Sequence, residues 1–311
     1  MRKMIAVAAV LAVTSAHAAE ELKFGDINYF LKEGQFNVSA DVNQSYEKNK
    51  YNSTTLETRG VIFSTQFAYA YNDQFNTFLG LDYAYDRETE DKTTGSNADV
   101  YNDGLSNPFI GANYRLMNQN DASYNIDFGA VARINIQDAE RGDSVGQNSK
   151  DGNFVDSRSS LELNARMGRK FDIANEWQLA AGAIYFTEGE TTLKNIAGET
   201  ELEDDSSFDL FVRAAYQYRP VNEFMMSISA QATQVGEAES DVKNGGKIKS
   251  DSHMDLDFRF NVKYLITDNF IARLNYGMSR NADYDIKDQG SNEELKNRRE
   301  NFFGLGVDFL F

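Results

Sequence analysis

Beyond residue 18 the chain has one histidine, His253, and in an extended conformation it shares a face with Asp255 and Asp257. An imidazole beside carboxylates can hold and activate a water molecule, so this trio is the first candidate for chemistry. A larger set of charged side chains recurs at a spacing of two, opposite apolar neighbours: Asp41, Asp82, Arg115, Asp127, Arg133, Glu162, Arg166, Asp209, Arg213, Asp255, Asp257, Arg259, Lys263, Arg273 and Asp308. Charges fixed on one side of a wall can line an aqueous passage and sort what crosses it. They can equally pair into a salt-bridged filling that holds a narrow interior together. The spacing predicts three pairs: Arg133 with Glu162, Arg166 with Asp127, and Arg273 with Asp308. Acidic runs at Glu88 to Asp91, Glu201 to Asp205 and Glu237 to Asp241 offer carboxylate oxygens to hard cations. None has the spacing of a calcium-binding loop, and no cofactor or metal site is expected.

The elements that must position these residues are strands. Phe36, Val38, Ala40, Val42 and Tyr46 alternate with Asn37, Ser39, Asp41, Asn43 and Ser45, which predicts a strand over about 35–46 that is apolar on one face only. The same beat predicts strands near 58–71, 75–87, 107–117, 123–137, 157–171, 177–188, 207–219, 223–235, 253–265, 269–280 and 301–311. That makes twelve. Short connections near 72–74, 118–122, 172–176, 219–222 and 265–269 alternate with long polar ones near 47–57, 88–106, 138–156, 189–206, 236–251 and 281–299. Tyr69, Tyr71, Phe75, Tyr114, Tyr124, Phe171, Trp177, Tyr216, Tyr218, Phe224, Tyr264, Phe270, Phe309 and Phe311 cluster on the apolar face beside the short turns, as a membrane-interface girdle would. Tyr46, Tyr83, Tyr85, Tyr185 and Phe208 form a sparser second one. A soluble two-sheet sandwich also alternates, but strands of this length with aromatic-flanked apolar faces favour lipid.

Composition agrees. The first 18 residues carry Arg2 and Lys3, an apolar run from Met4 to Val13, and Ala16-His17-Ala18 before Ala19, the pattern of a cleaved signal peptide. Residues 19–33 show no clean period and are expected to be a short N-terminal lead-in on the periplasmic side, with the barrel occupying 34–311. With the first 18 residues removed the net charge is −19, which argues against nucleic acid as a partner. No other stretch has the roughly 18 uninterrupted apolar residues a membrane helix needs, so if the mature protein is in a membrane it is there as strands. Cysteine is absent and only two prolines interrupt the chain, so there is no disulfide framework or thiolate metal site, and long strands are unhindered.

The last stretch, Asn301 to Phe311 (NFFGLGVDFLF), places Phe303, Leu305, Val307, Phe309 and Phe311 on one face and Gly304, Gly306 and Asp308 on the other. It resembles the terminal strand of Gram-negative outer-membrane β-barrel proteins of porin-like type. That resemblance implies an outer-membrane barrel recognised by the barrel-assembly machinery through its last strand and in contact with outer-membrane lipid and lipopolysaccharide; with the strand count the expected fold is an all-β, twelve-stranded antiparallel transmembrane barrel. The resemblance also implies passage of small hydrophilic solutes or ions. Similarity to twelve-stranded porins for acidic oligosaccharides stops at strand number, because basic rows do not dominate. His253 with Asp255 and Asp257 is similar to the rim groups of omptin proteases, but the second aspartate pair of that family has no counterpart here. The lipid-facing His, Ser and Asn set of outer-membrane phospholipase is not matched either, since His253 faces inward. The expected function is therefore a non-enzymatic, mixed-charge channel. The alternatives are a structural or adhesin-like barrel with a blocked lumen and, after that, a rim hydrolase.

Overall fold

A computed structural model describes residues 22–311 except 52–53, 93–99, 121–122, 143, 146–147, 150–151, 196–197, 244 and 289–290. The signal-peptide expectation for residues 1–18 lies outside them. Twelve antiparallel strands form the wall: β1 Phe36–Tyr51, β2 Thr54–Asn72, β3 Phe75–Asp91, β4 Phe109–Met117, β5 Asn125–Arg133, β6 Arg158–Lys170, β7 Asn175–Asn195, β8 Ser207–Val221, β9 Phe224–Val235, β10 His253–Thr267, β11 Phe270–Asn281 and β12 Ser291–Leu310. Each pairs with its sequence neighbours, and β12 closes on β1 with Val38 opposite Phe309 and Asp41 opposite Gly306. The ring therefore has no free edge, which is what a sheet needs where no water can satisfy an edge. The protein is a twelve-stranded antiparallel barrel of outer-membrane type, as the alternation predicts.

The two ends differ in build. At one end the turns are short and held by side chains that imitate backbone, as where Asp172 Oδ1 accepts from the amides of Ala174 and Asn175, both at 2.8 Å. At the other end the connections expected to be long polar loops are largely hairpin extensions. Strand β1 runs on to Tyr51 and β2 starts again at Thr54. Strand segments at Val100–Leu105, Gly198–Asp204, Ala238–Val242, Lys247–Ser250 and Tyr284–Asp288 carry pairing above the main ring. The sequence pattern fades there because both faces meet water, so nothing enforces an apolar-polar contrast even though the ladder continues.

The outer surface is apolar and large side chains are exposed on it: Phe63 is 41% exposed, Leu256 42% and Ile228 57%. Such exposure on every wall strand is intelligible only against lipid. Tyr69, Tyr71, Tyr114, Tyr216, Tyr218, Tyr264 and Phe311 are exposed on this surface near the short turns. Trp177 packs there between Phe171 and Tyr124, with ring centroids 6.4 and 6.1 Å away.

Candidate functional site

Which face is the interior is settled by one segment. Residues 22–35, which include the described part of the lead-in expected over 19–33, lie inside the short-turn end of the barrel and touch β4, β6, β7, β8, β10 and β11 at once. Only an object inside a ring can do that. Asp26, buried, accepts from Lys170 Nζ at 2.9 Å and from Arg219 at 2.5 Å, and Lys170 and Arg219 are buried too. Glu176 accepts from the amides of Ile27 at 2.9 Å and Asn28 at 3.2 Å, and from Gln217 Nε2 at 2.6 Å. Lys263 Nζ donates to the Gly25 carbonyl at 2.8 Å, Gln178 Nε2 to the Ile27 carbonyl at 3.1 Å, and Arg115 to the Asn28 carbonyl at 2.8 Å. The segment has no helix or strand of its own, so its backbone groups are satisfied partly by its own turns, as where Tyr29 donates to the Asp26 carbonyl at 3.1 Å, and partly by the wall.

Apolar contact completes the seat. Leu31 packs with Ala68, Ala70 and Leu310, and Phe30 lies under the Arg115 guanidinium at 4.7 Å. Small alanines on β2 make room for Leu31 on an otherwise polar inner face. Burying Phe30 and Leu31 contributes about 1.5–3 kcal/mol each. At Gly25 the backbone has φ +94°, and a Cβ there would meet Ile271 Cδ1 at 2.8 Å, so glycine is required both for the turn and for the close approach to β11.

With the inner face defined, strand alternation puts Glu162 and Arg166 on the face of Lys170, Asp209 and Arg213 on that of Arg219, Asp255, Asp257 and Arg259 on that of Lys263, Arg273 on that of Ile271 and Asp308 on that of Leu310, with Asp127 opposite Arg115. Asp41, Asp82 and Arg133 follow one step further along the ladder. Their pairing follows the register. Arg273 bridges Asp41 at 2.8 Å and Asp308 at 3.0 Å, so the expected Arg273–Asp308 pair forms and gains a second acid. The other two expected pairs do not form. Arg133 lies 3.6 Å from Asp82 rather than on Glu162, because its ring of contact runs through β4 and β3. Asp127 is taken by Arg115 in a bidentate pair at 2.7 and 3.0 Å, and Arg166 instead donates to Asn113 Oδ1 at 2.5 Å. Both guanidiniums lie directly opposite Asp127 in the register, Arg115 from β4 and Arg166 from β6; Arg115 takes both carboxylate oxygens, and Arg166 turns to Asn113. Glu162 accepts from Asn164, and Asp209 accepts from the amide of Gly236.

Sequence reasoning missed Asp26, Lys170, Glu176 and Arg219. The signal for Lys170 and Arg219 was their parity: Lys170 continues the Glu162 and Arg166 row and Arg219 the Asp209 and Arg213 row. Glu176 fell just before the expected start of its strand. Asp26 had no periodic context at all.

The inner face is also less uniformly polar than expected. Phe78, Phe109, Phe211 and Phe302 point inward, and each ring lies flat on a glycine directly across the ladder. The pairs are Phe78 with Gly111, Phe109 with Gly80, Phe211 with Gly182 and Phe302 with Gly277. A Cβ built at Gly277 would meet Phe302 Cε1 at 2.0 Å. Arg133 stacks over Phe109 at 4.8 Å and Arg259 over Phe302 at 5.7 Å. Flattened rings keep the wall thin, and arginines on top of them keep their charge toward the interior.

Among the described residues, two charged cavities of similar size lie inside the ring. One, of about 400 Å³, lies toward the long-loop end among Asp82, Arg87, Arg133, Arg158 and Arg298. The other, of about 430 Å³, is bounded by Arg166, Arg213, Arg259, Lys263 and Asp257, with Asp26 and Ile27 of the N-terminal segment also on its lining. His253 sits 3.5 Å from Asp255, but its ring is stacked on Tyr284 at 3.8 Å and its Nδ1 lies 3.2 Å from the Asp251 carbonyl oxygen. A ring so covered is poorly placed to hold a water. The acidic run Glu237 to Asp241 is engaged by lysines: Glu239 bonds Lys247 and Lys249, and Asp241 lies 3.0 Å from Lys247. The hydrogen bonds from Lys247 and Lys249 hold the Glu239 carboxylate below its ordinary pKa. Among the described residues no group of three or more potential metal ligands converges.

Fold and interior together define an outer-membrane-type barrel with a charged inner face and an internal N-terminal segment. No protein-family profile and no curated protein sequence matches the chain. Solved structures do. An outer-membrane channel from Pseudomonas putida F1 aligns at 13% identity with TM-score 0.58, over 94% of this chain and 100% of that one. The transport unit of the autotransporter AIDA-I from Escherichia coli aligns at 13% identity with TM-score 0.49, over 99% and 96%. The NanC porin aligns at 9% identity with TM-score 0.46, over 87% and 98%. At these identities the first likeness establishes the fold.

Proposed function

We propose that the protein is an outer-membrane channel for passive diffusion of small hydrophilic solutes and ions through a mixed-charge lumen, and that it is not an enzyme. The observation that carries this reading is the pair of charged cavities, about 400 and 430 Å³, inside a closed ring whose outer surface is apolar. A barrel filled only to be stable would use those volumes for packed side chains. The short turns face the periplasm and the extended hairpins face outward, with lipopolysaccharide against the outer girdle and the terminal strand read by the assembly machinery. Residues 22–35 then form the periplasmic constriction, and solute leaves when that segment yields. Asp41, Asp82, Arg115, Asp127, Arg133, Glu162, Arg166, Asp209, Arg213, Asp255, Asp257, Arg259, Lys263, Arg273 and Asp308 line the path or set its field. Recording from purified, refolded protein in a planar bilayer tests this: stepwise conductance is expected. A lack of any current from protein lacking residues 22–33, with the barrel shown folded, would instead mean a sealed interior.

A further inference from the structure

The inner charges divide into those that are neutralised and those that are not. Asp41 and Asp308 are spent on Arg273, Asp127 on Arg115, Asp26 on Lys170 and Arg219, and Glu47 on Arg87 and Arg298. Among the described residues Arg166, Arg213 and Arg259 form no ion pair, and all three border the same cavity of about 430 Å³. Register explains their convergence. Arg166 on β6 and Arg213 on β8 both lie opposite Ala180 of β7, two strand spacings apart, or about 10 Å at the backbone. Arg259 on β10 lies opposite Ser229 of β9. Ala215, Ser227 and Ser229 are small, so the space in front of the guanidiniums stays empty of side chains. Lys263 borders the same space while donating to the Gly25 carbonyl. Of the two carboxylates on this cavity, Asp26 is held by Lys170 and Arg219, and Asp257 forms no ion pair among the described residues.

We infer that this chamber is a binding site for small oxyanions, inorganic phosphate or short dicarboxylates, and that Lys263 is shared between the bound anion and the N-terminal segment. The inference rests on the channel reading only in calling the anion a solute. Planar guanidiniums suit carboxylate and phosphate oxygens, and three that form no salt bridge among the described residues, together with Lys263, outnumber the nearby Asp257 and Glu162 and favour an anion that brings two or more charges. The volume holds about a dozen waters' worth of ligand, enough for a dicarboxylate and too little for an oligosaccharide chain. Drawing Lys263 Nζ toward an anion removes its bond to Gly25 and loosens the segment that lies beside it.

Calorimetric titration of inorganic phosphate and of succinate into the refolded full-length barrel in uncharged detergent tests binding without any current. Saturable binding is expected, weakened at least tenfold in R213Q/R259Q and largely kept in R213K/R259K. Slower migration on heating, seen in gels, confirms that each variant is folded. In bilayers, millimolar phosphate should reduce chloride current in the parent and not in R213Q/R259Q, and K263M should raise the accessibility of the segment to trypsin. Absence of saturable binding in folded parent protein, or equal binding in R213Q/R259Q, overturns the inference while leaving a conducting channel intact. Binding with no conductance in any variant retains the site and removes the channel reading.

Discussion

Asp26→Asn isolates what holds the N-terminal segment inside the barrel. The substitution keeps shape and hydrogen-bonding atoms but removes the carboxylate that faces Lys170 at 2.9 Å and Arg219 at 2.5 Å, all three being buried. Removing one partner of a buried ion pair costs about 3–5 kcal/mol, because the other charge is left without compensation. When the segment leaves, water reaches Lys170 and Arg219, so most of that cost falls on the seated state alone. At about 1.4 kcal/mol per tenfold, the population with the segment out should rise by about two to three and a half orders of magnitude. The twelve-strand ladder is untouched, so the barrel itself should stay as heat-stable as the parent. Two assays read this. Single-channel recording should show longer or larger openings in Asp26→Asn, approaching those of a protein lacking residues 22–33. Trypsin should cut at Lys23 faster. Identical opening statistics and identical cleavage would refute the assignment of Asp26 as the anchor, since a weaker surface pair would change neither.

Further expectations follow from other parts of the wall. Glu176→Gln keeps an acceptor for the Ile27 and Asn28 amides but loses its charge, and should shift the same equilibrium by about 1.5–3 kcal/mol; an effect equal to that of Asp26→Asn would mean the two act as one unit. Gly277→Ala drives a methyl into the Phe302 ring and should lower barrel stability by about 1–3 kcal/mol in urea unfolding, with Phe302→Ala restoring part of it. Ile228→Arg places a charge on the exposed outer face among Trp177, Phe258 and Tyr276, and should cost about 2–4 kcal/mol if that face meets lipid at mid-depth; a neutral outcome would place it in water. His253→Ala should leave any peptide or ester hydrolysis by the preparation unchanged, and loss of such activity would revive a rim hydrolase.

The amino-acid order alone determines the wall. Alternation at a spacing of two assigns Phe63, Ile228 and Leu256 to one face and Asp41, Arg213 and Arg259 to the other, and no distant contact is needed to read it, since each residue's side follows from its neighbours. Strand number and the unequal ends follow from the same local signal. Tertiary structure decided which charges meet. The register sets both Arg115 and Arg166 opposite Asp127, and only side-chain packing in the closed ring gives the carboxylate to Arg115, while Arg133, stacked over Phe109, meets Asp82 instead of Glu162. It also decided what fills the interior: Asp26 lies 144 residues from Lys170 and 193 from Arg219, and a segment without period has no local mark of where it will lie. The flat seating of Phe302 on Gly277 is likewise invisible until β11 and β12 are side by side. Facing is a property of the chain, whereas neighbourhood is a property of the closed ring.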